Sequence, residues 1–337
     1  MKIAVDGRAL YPPRTGIGQH LALLLTELGH LCDLHIFLPR EIAPFPIPIR
    51  ATWHTGPVLK GNIYYHGFLP RILDQEKVDL FLAPLNVLPW NIRIPSVLIV
   101  HDITPLEHPG WHRMKNRLTT VPFYDRSFDR ADRIIAVSRA TRDSVRHYFP
   151  GVGPRVGVVP PGRPVPLPSP SDISPLPSEF LLTVSTLEPR KNLHSLLEAH
   201  SSDPTLPPLV IAGDKGWKTR YSGSDRTLFL GYVDERTKWE LYRRARLFIF
   251  PSLQEGFGLP VIEALTAGTP IVSTPVPAAQ EYPHPQCHIV DTSPSAILTG
   301  IQYMMNVRPG KEVPVSLPSW KEVAETYIDI FQEVLQP

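Results

Sequence analysis

The sequence predicts an α/β protein built from two doubly wound, Rossmann-like domains facing each other across a cleft. Three observations carry this reading. Short β-rich apolar runs alternate with longer helical patterns, the mark of parallel βαβ units. The alternation stops at residues 160–178, PPGRPVPLPSPSDISPLPS, which holds eight prolines and no hydrophobic period and reads as a semi-rigid linker. It then restarts with the same rhythm, and 337 residues at 42% hydrophobic are more than one ordinary core absorbs.

In chain order, the first-half strands are expected at 2–6 (KIAVD), 33–38 (DLHIFL), 79–85 (VDLFLAP), 96–102 (SVLIVHD), 133–138 (RIIAVS) and 156–159 (VGVV). The clearest helices between them are Gly18–Leu28 and Arg139–Tyr148. The domain is bounded at 1–160, with the linker at 161–178. A second domain, 179–318, has strands at 179–186, 208–213, 227–230, 246–250, 270–274 and 287–290. Segment 319–335 closes the chain as an amphipathic helix, with Val323, Tyr327, Ile330, Phe331 and Val334 on one apolar stripe.

Composition narrows the function. Lys+Arg 34 against Asp+Glu 32 leaves +2, without the clustered cations that nucleic-acid affinity requires. No apolar run reaches the 18 or so residues of a membrane span. The start, MKIAVDGRAL, reads as a first strand and not as a signal peptide. Cys32 and Cys287 stand far apart and make neither a disulfide framework nor a zinc site. A cytoplasmic enzyme is the expectation.

In open α/β sheets, ligands bind beyond the carboxyl ends of the strands, so chemistry is sought there. The strongest constellation is PSLQEGFGLPVIEALTAGTP, 251–270. Gly256 and Gly258, flanking Phe257 and followed by Leu259, let the backbone approach a ligand. Pro260 suits a first helical position and Gly268 a C-cap. The result is a glycine-rich turn running into a helix N-terminus, which attracts anions. Glu255 and Glu263 frame it with seven residues between them. Glu263 is the only charge in 259–270, so a buried carboxylate there needs a partner, for which ribose or sugar hydroxyls would serve. The competing reading is that it only complements the helix dipole.

A second constellation is TVSTLEPRKNLHSLLEAH, 183–200. Arg190 and Lys191 fall near the start of a helix, where cations oppose the macrodipole; a bound diphosphate would resolve the conflict. The alternative is a solvated pair balanced by Glu188. Third, His101 and Asp102 terminate a strongly apolar strand. His108 and His112 have i,i+4 spacing, but Pro109-Gly110 interrupts the helix and argues against a metal. Fourth, Gly16-Ile17-Gly18 opens a helix and could admit a phosphate. Leu21 stands where the dinucleotide fingerprint needs its third glycine, which disfavours a nicotinamide enzyme. Walker A, Gly-x-Ser-x-Gly and kinase patterns are missing, as is any Asp-x-Asp motif of metal-dependent sugar transfer.

Glu255 to Ala264, EGFGLPVIEA, resembles the Glu-x7-Glu motif of family 4 retaining glycosyltransferases, which have the two-domain GT-B fold. The likeness extends through Thr15–Gly18, Val100–Asp102, Ala131–Ser138, Glu188–Asn192, Gly213 with Gly216-Trp217, and Gly231–Val233. It implies a nucleotide-sugar donor in the second domain, no cofactor and no metal. Arg190 and Lys191 would hold the diphosphate, Glu255 the sugar hydroxyls and Glu263 the ribose. His101 would lie near the transferred sugar, and Gly16 and Gly18 near the phosphates. The first domain becomes the acceptor side, and helix 319–337 the one that crosses back to it. Glu-Pro-Arg-Lys-Asn looks most like mannosyltransferases using GDP-mannose, with UDP-glucose the other donor type. Gln19 departs from the family, where many members carry a basic residue, and 291–318 is short and proline-broken.

Two other readings stand beside this one: a GT-B epimerase or phosphorylase, and a non-catalytic carbohydrate-binding relative. A saccharide or lipid-linked acceptor is implied. The stretch 112–130, with Arg113, Lys115, Arg117, Arg126 and Arg130 interleaved with Phe123, Tyr124 and Phe128, could lie on an anionic membrane. It could equally be a solvated helix with a buried aromatic face.

Overall fold

The computed structural model describes residues 1–12, 16–40, 49–59, 61–169, 176–214, 216, 221, 224–310 and 315–336, without the side chains of Lys115 and Asn116. Thr15, Trp217 and the middle of the proline-rich segment therefore lie outside the described residues. The chain forms two compact units, Met1–Arg163 with Leu317–Pro337, and Pro164–Ser316.

Among the described residues, unit one contains the strands β1 (Lys2–Asp6), β2 (Asp33–Leu38), β3 (Thr52–Thr55), β4 (Leu80–Ala83), β5 (Ser96–Val100), β6 (Arg133–Ala136) and β7 (Val156–Val158). They form one parallel sheet in the order β3-β2-β1-β4-β5-β6-β7. Its helices in chain order are α1 (Gly16–Leu31), α2 (Leu69–Glu76), α3 (Thr104–Glu107), α4 (Met114–Thr120), α5 (Tyr124–Arg130) and α6 (Arg139–Tyr148). Every residue of β4 and β5 is buried, as a parallel strand covered on both faces requires. The order reverses between β1 and β4, leaving a crevice beyond their carboxyl ends.

Unit two contains β8 (Leu181–Val184), α7 (Leu193–Ser202), β9 (Leu209–Ala212), β10 (Thr227–Gly231), α8 (Glu235–Arg244), β11 (Leu247–Phe250), α9 (Leu259–Thr266), β12 (Ile271–Ser273), α10 (Pro277–Glu281), β13 (Cys287–Ile289) and α11 (Pro294–Met304). Its parallel sheet runs β10-β9-β8-β11-β12-β13, reversing between β8 and β11. Leu181, Leu193, Leu196, Leu209, Ile249, Val272 and Ile301 knit strands and helices into one core.

The last helix, α12 (Trp320–Leu335), opens with a Ser319–Glu322 capping box and packs on α1. Of the expected stripe, Val323, Tyr327 and Phe331 are fully buried, each a contribution of roughly 1.5–3 kcal/mol. Ile330 and Val334 are only half-buried, and Trp320 and Ala324 complete the face in their place.

Most strand ends fall one or two residues inside the expected ones, because the flanking residues turn into the ligand-side loops. Helix α1 is longer than expected, running from Gly16 to Leu31. Strand β3 was not expected: its Thr52, Trp53 and Thr55 are exposed, so Thr-Trp-His-Thr shows no apolar signal and is specified by its ladder with β2.

Candidate functional site

Because β8 and β11 are neighbours at the point where the strand order reverses, the turns that follow them emerge side by side. The turn after β8 carries Arg190 and Lys191 on a short 3-10 turn, Pro189–Lys191. Asn192, at φ 52°, follows as the N-cap of α7, which begins at Leu193, so the two cations stand just ahead of its first turn, near the helix start as the sequence indicates. The turn after β11 carries Glu255. The Leu253 N–H donates to the Arg190 carbonyl at 2.9 Å, and Arg190 Nη1 donates to the Gln254 carbonyl at 3.0 Å, cross-linking the turns.

The sequence places these groups 64 and 65 residues apart, and the fold brings them into one cluster. Arg190 Nη1 and Lys191 Nζ each donate to a different oxygen of Glu255, both at 2.5 Å. Arg190 Nη2 donates to Glu188 Oε1 at 2.9 Å. All four side chains are largely buried, with 10% exposure for Glu255, 14% for Arg190 and 12% for Lys191. Burial pushes the Glu255 carboxyl up, but the Lys191 ammonium and Arg190 guanidinium outweigh it and hold it at about 2. Glu188 does balance Arg190, so the alternative weighed for this pair is part of the arrangement.

Two glycines make the surrounding backbone possible. Gly258, at φ 103°, turns the chain into α9 with Leu259 and Pro260 in the first helical turn. A Cβ on Gly216 would stand 1.8 Å from the Leu187 carbonyl oxygen, so only glycine lets the loops after β8 and β9 touch. Gly256 is buried, and Phe257 packs on Tyr282 while its carbonyl accepts from the Ala278 N–H at 2.8 Å. Gly268, at φ 79°, follows the end of α9 as expected of a C-cap glycine.

Glu263 is buried, as a lone charge in an apolar helix predicts, and it has protein partners that the sequence reading did not name. Its buried carboxylate is satisfied within the protein, accepting from Lys238 Nζ at 2.8 Å and from the Tyr242 hydroxyl at 3.0 Å, both on α8. Lys238 also pairs with Glu235 at 3.0 Å. Burial works against the Lys238 ammonium, but Glu263 and Glu235 raise it above the ordinary lysine value. Taking away one member of such a pair leaves a buried uncompensated charge, at about 3–5 kcal/mol. Sequence reasoning missed Lys238 and Tyr242; their i,i+4 spacing on one helix face was the available signal.

In unit one, His101 follows β5 and is buried. Its N–H donates to Asn86 Oδ1 at 3.0 Å, and its carbonyl accepts from Thr141 Oγ1 at 3.2 Å. Burial pulls the imidazole down to about 4 against the Asp102 charge and the Pro84 carbonyl, so it is neutral near pH 7. The Pro84 carbonyl bonds the ring, and Nε2 is buried with no hydrogen-bond partner among the described residues. Asp102 Oδ1 accepts from the Thr104 N–H at 3.0 Å and from the Thr104 hydroxyl at 2.6 Å, which fixes the turn that leads into α3. His112 Nε2 meets Thr104 Oγ1 at 3.0 Å, while His108 stacks on Trp111.

His20 and Trp320 were also missed. His20 packs edge-on against both His101 and Trp320, at 5.2 Å between ring centroids in each case. A buried histidine among the leucines of α1 was the only hint. Gly16 is the exposed first residue of α1, where an added Cβ would meet nothing within 4 Å among the described residues, and Gly18 is buried.

The basic stretch resolves into two parts. Tyr124 and Phe128 are core, Phe123 stacks on His66, and Arg126 and Arg130 donate to the carbonyls of Trp90 and Ile92. The aromatic rings thus face the protein, while Arg126 and Arg130 are exposed but tied to backbone carbonyls. On α4, by contrast, Met114 and Leu118 are 72% and 66% exposed, one turn apart, with Arg113 exposed before them.

Comparison with known proteins extends this geometry. Residues 14–165 match the Glycosyltransferase Family 4 model, and residues 171–310 match the Glycosyl transferases group 1 model. O-antigen chain mannosyltransferase B of Escherichia coli is 29% identical over 231 residues, covering 62% of this chain and 60% of that protein. The chain thus spans less than two thirds of that relative's length. Sucrose-phosphate synthase from Thermosynechococcus elongatus has the same fold, with a TM-score of 0.78 at 17% identity over 99% of both chains. HepE of Anabaena, solved in complex with UDP and glucose, gives 0.69 at 20% identity over 99% of this chain and 98% of that one. With two Rossmann-like units of the GT-B type and family models matching both, the chain belongs to family 4 of the glycosyltransferases.

Proposed function

We propose that this glycosyltransferase moves a hexose, of mannose type in preference to glucose type, from a nucleotide-diphosphate sugar to a saccharide or lipid-linked acceptor. Transfer proceeds with retention and without a metal ion at the donor. The observation that carries the reading is the cluster of Arg190, Lys191 and Glu255 beside the N-terminus of α9.

Breaking the anomeric bond leaves negative charge on the departing diphosphate. A fixed guanidinium, an ammonium and helix-terminal N–H groups stabilise that charge at no reorganisation cost. Glu255, freed from the cations by the phosphate, accepts hydrogen bonds from sugar hydroxyls. Glu263 meets the ribose only by sharing the oxygens that Lys238 and Tyr242 hold, and α8 then positions it. Within unit one, His101 presents Nε2 to a hydroxyl, and the opening of α1 at Gly16 and Gly18 presents N–H groups to an anion. Attack on the face that the diphosphate leaves, with its oxygen taking the acceptor proton, accounts for retention without a protein nucleophile. Support for mannose comes from the E. coli relative, and for a nucleotide donor from HepE.

A thermal-shift panel tests the donor. GDP and GDP-mannose should raise the melting midpoint more than UDP and UDP-glucose, by an increment that EDTA leaves unchanged. NAD-specific stabilisation, or an increment lost on chelation, would overturn the reading. Proton NMR of the product's anomeric centre reads the stereochemistry.

No helix among the described residues is long and apolar enough to cross a membrane. The proposal places the protein at the inner face of a membrane, with Met114 and Leu118 in the lipid and Arg113 and Arg117 on anionic headgroups. Wild type should co-sediment with phosphatidylglycerol vesicles, and Arg113→Glu/Arg117→Glu should lose most of that binding. Equal sedimentation of the two removes the membrane contact.

A further inference from the structure

Outside the residues assigned to sugar transfer, unit one gathers ligand atoms at the edge of its sheet. His35 in β2 and His54 in β3 bring Nδ1 and Nε2 to 2.7 Å, with their rings stacked at 5.0 Å. Glu76, the last residue of α2, places Oε1 3.8 Å from His54 Nδ1. One nitrogen or oxygen from each residue lies within 4.8 Å of the other two. We propose that His35, His54 and Glu76 bind one zinc-class divalent ion, with the fourth position open to water, and that the ion staples the edge strand to β2 and α2.

Three features favour this over an ordinary histidine pair. Asp33 Oδ1 lies 3.3 Å from His35 Nε2, outside the cluster. A carboxylate beside the outer ring nitrogen, with Nδ1 facing the cluster, is the arrangement in which metal-ligating histidines are oriented. The donor set, two imidazoles and a carboxylate, matches the preferences of zinc and its neighbours. Tetrahedral bonds of about 2.0–2.1 Å put ligand atoms about 3.3 Å apart, so the rings part by about 0.6 Å as the metal replaces their shared proton. The carboxylate closes the remaining gap from a side chain that is 36% exposed and able to move.

The strand gives the ion something to do. β3 exposes Thr52, Trp53 and Thr55, and beyond its ladder it is held by His54, which stacks on Phe37 at 4.4 Å. Lys2 is the competing cation: its Nζ donates to the Glu76 carbonyl at 2.6 Å and lies 3.4 Å from Oε2.

The test is a Co2+ titration of the EDTA-treated, dialysed full-length protein. Visible d–d bands of a tetrahedral site should saturate at one ion per chain and disappear when Zn2+ is added. His54→Ala should abolish the bands, and Glu76→Gln should weaken binding about tenfold or more. Lys2→Met, which removes the competitor without touching a ligand, should tighten binding several-fold. The proposal fails if wild type shows no bands, or if Glu76→Gln and Lys2→Met both bind Co2+ with wild-type affinity. Circular dichroism of the metal-free variants separates lost ligands from a lost fold, and neither outcome depends on which sugar the enzyme transfers.

Discussion

Replacing Arg190 and Lys191 together by alanine should lower sugar transfer by about 10³-fold or more and abolish the GDP-induced thermal shift. Removing one preorganised donor from a developing negative charge costs about 10²–10³ in kcat. Here both donors converge on one place, so the single variants should each cost nearly that much and the double variant less than their product. The cluster also bears on stability. With both cations gone, Glu188 and Glu255 remain as buried, unneutralised carboxylates 67 positions apart in sequence but joined through Arg190. The melting midpoint should therefore fall as well. Arg190→Lys keeps the charge but loses the fork that reaches Glu188, Gln254 and Glu255 at once, and should recover stability better than turnover. GDP release from GDP-mannose, measured over a panel of mannoside acceptors, reads the activity. Undiminished turnover in the double variant would remove the diphosphate assignment.

Glu255→Gln should separate binding from catalysis. Its two oxygens engage Lys191 and Arg190, so a carboxylate occupies the two cations to which the diphosphate contact is proposed. Two cations and two carboxylates sum to zero, and an entering diphosphate makes the site negative unless Glu255 moves away. The amide carries no charge and releases the cations, so GDP should bind several-fold more tightly by calorimetry. Transfer should nevertheless fall about 10²-fold or more if, as proposed, Glu255 makes hydrogen bonds to the sugar that strengthen in the transition state. Weaker GDP binding in this variant would show that Glu255 organises the cations and does not compete for them.

The same residue makes a pH prediction. Its folded value of about 2 lies below the ordinary glutamate value near 4.3, so its stabilising contribution is present above the ordinary value. That contribution is lost as pH falls from there towards 2. Urea titrations of wild type and Glu255→Gln between pH 3 and 7 should accordingly show a stability difference that is constant above about pH 5 and narrows towards pH 3.

Much of the fold was legible before any coordinates. β1, β2 and α6 have the expected bounds because their apolar periods are local and end at clear punctuation: Gly7, the Pro39 turn, and Ser138 as a cap. The glycine-rich turn after β11 was legible for the same reason: Gly258 and Gly268 take the positive φ that a turn and a helix end require. Strand β3 was not, since a half-exposed edge strand owes its conformation to its neighbour. Glu263 shows the limit for the site. A lone carboxylate in an apolar helix signals that a partner exists, but Lys238 and Tyr242 come from another helix. His20 and Trp320 tell the same story around His101, where three buried rings from α1, β5's end and α12 meet.

Alone, the sequence determined the two parallel-sheet units and the strand ends at which chemistry is exposed. It also determined which charged residues stand there, because period, turn chemistry and strand-end placement are read within about ten neighbouring residues. Tertiary structure decided how those charges are used: Glu255 holds the cations, Glu263 is gripped by α8, and two histidines meet at the sheet edge. Those outcomes depend on which loops adjoin where the strand order reverses, and on water being excluded between side chains remote in sequence.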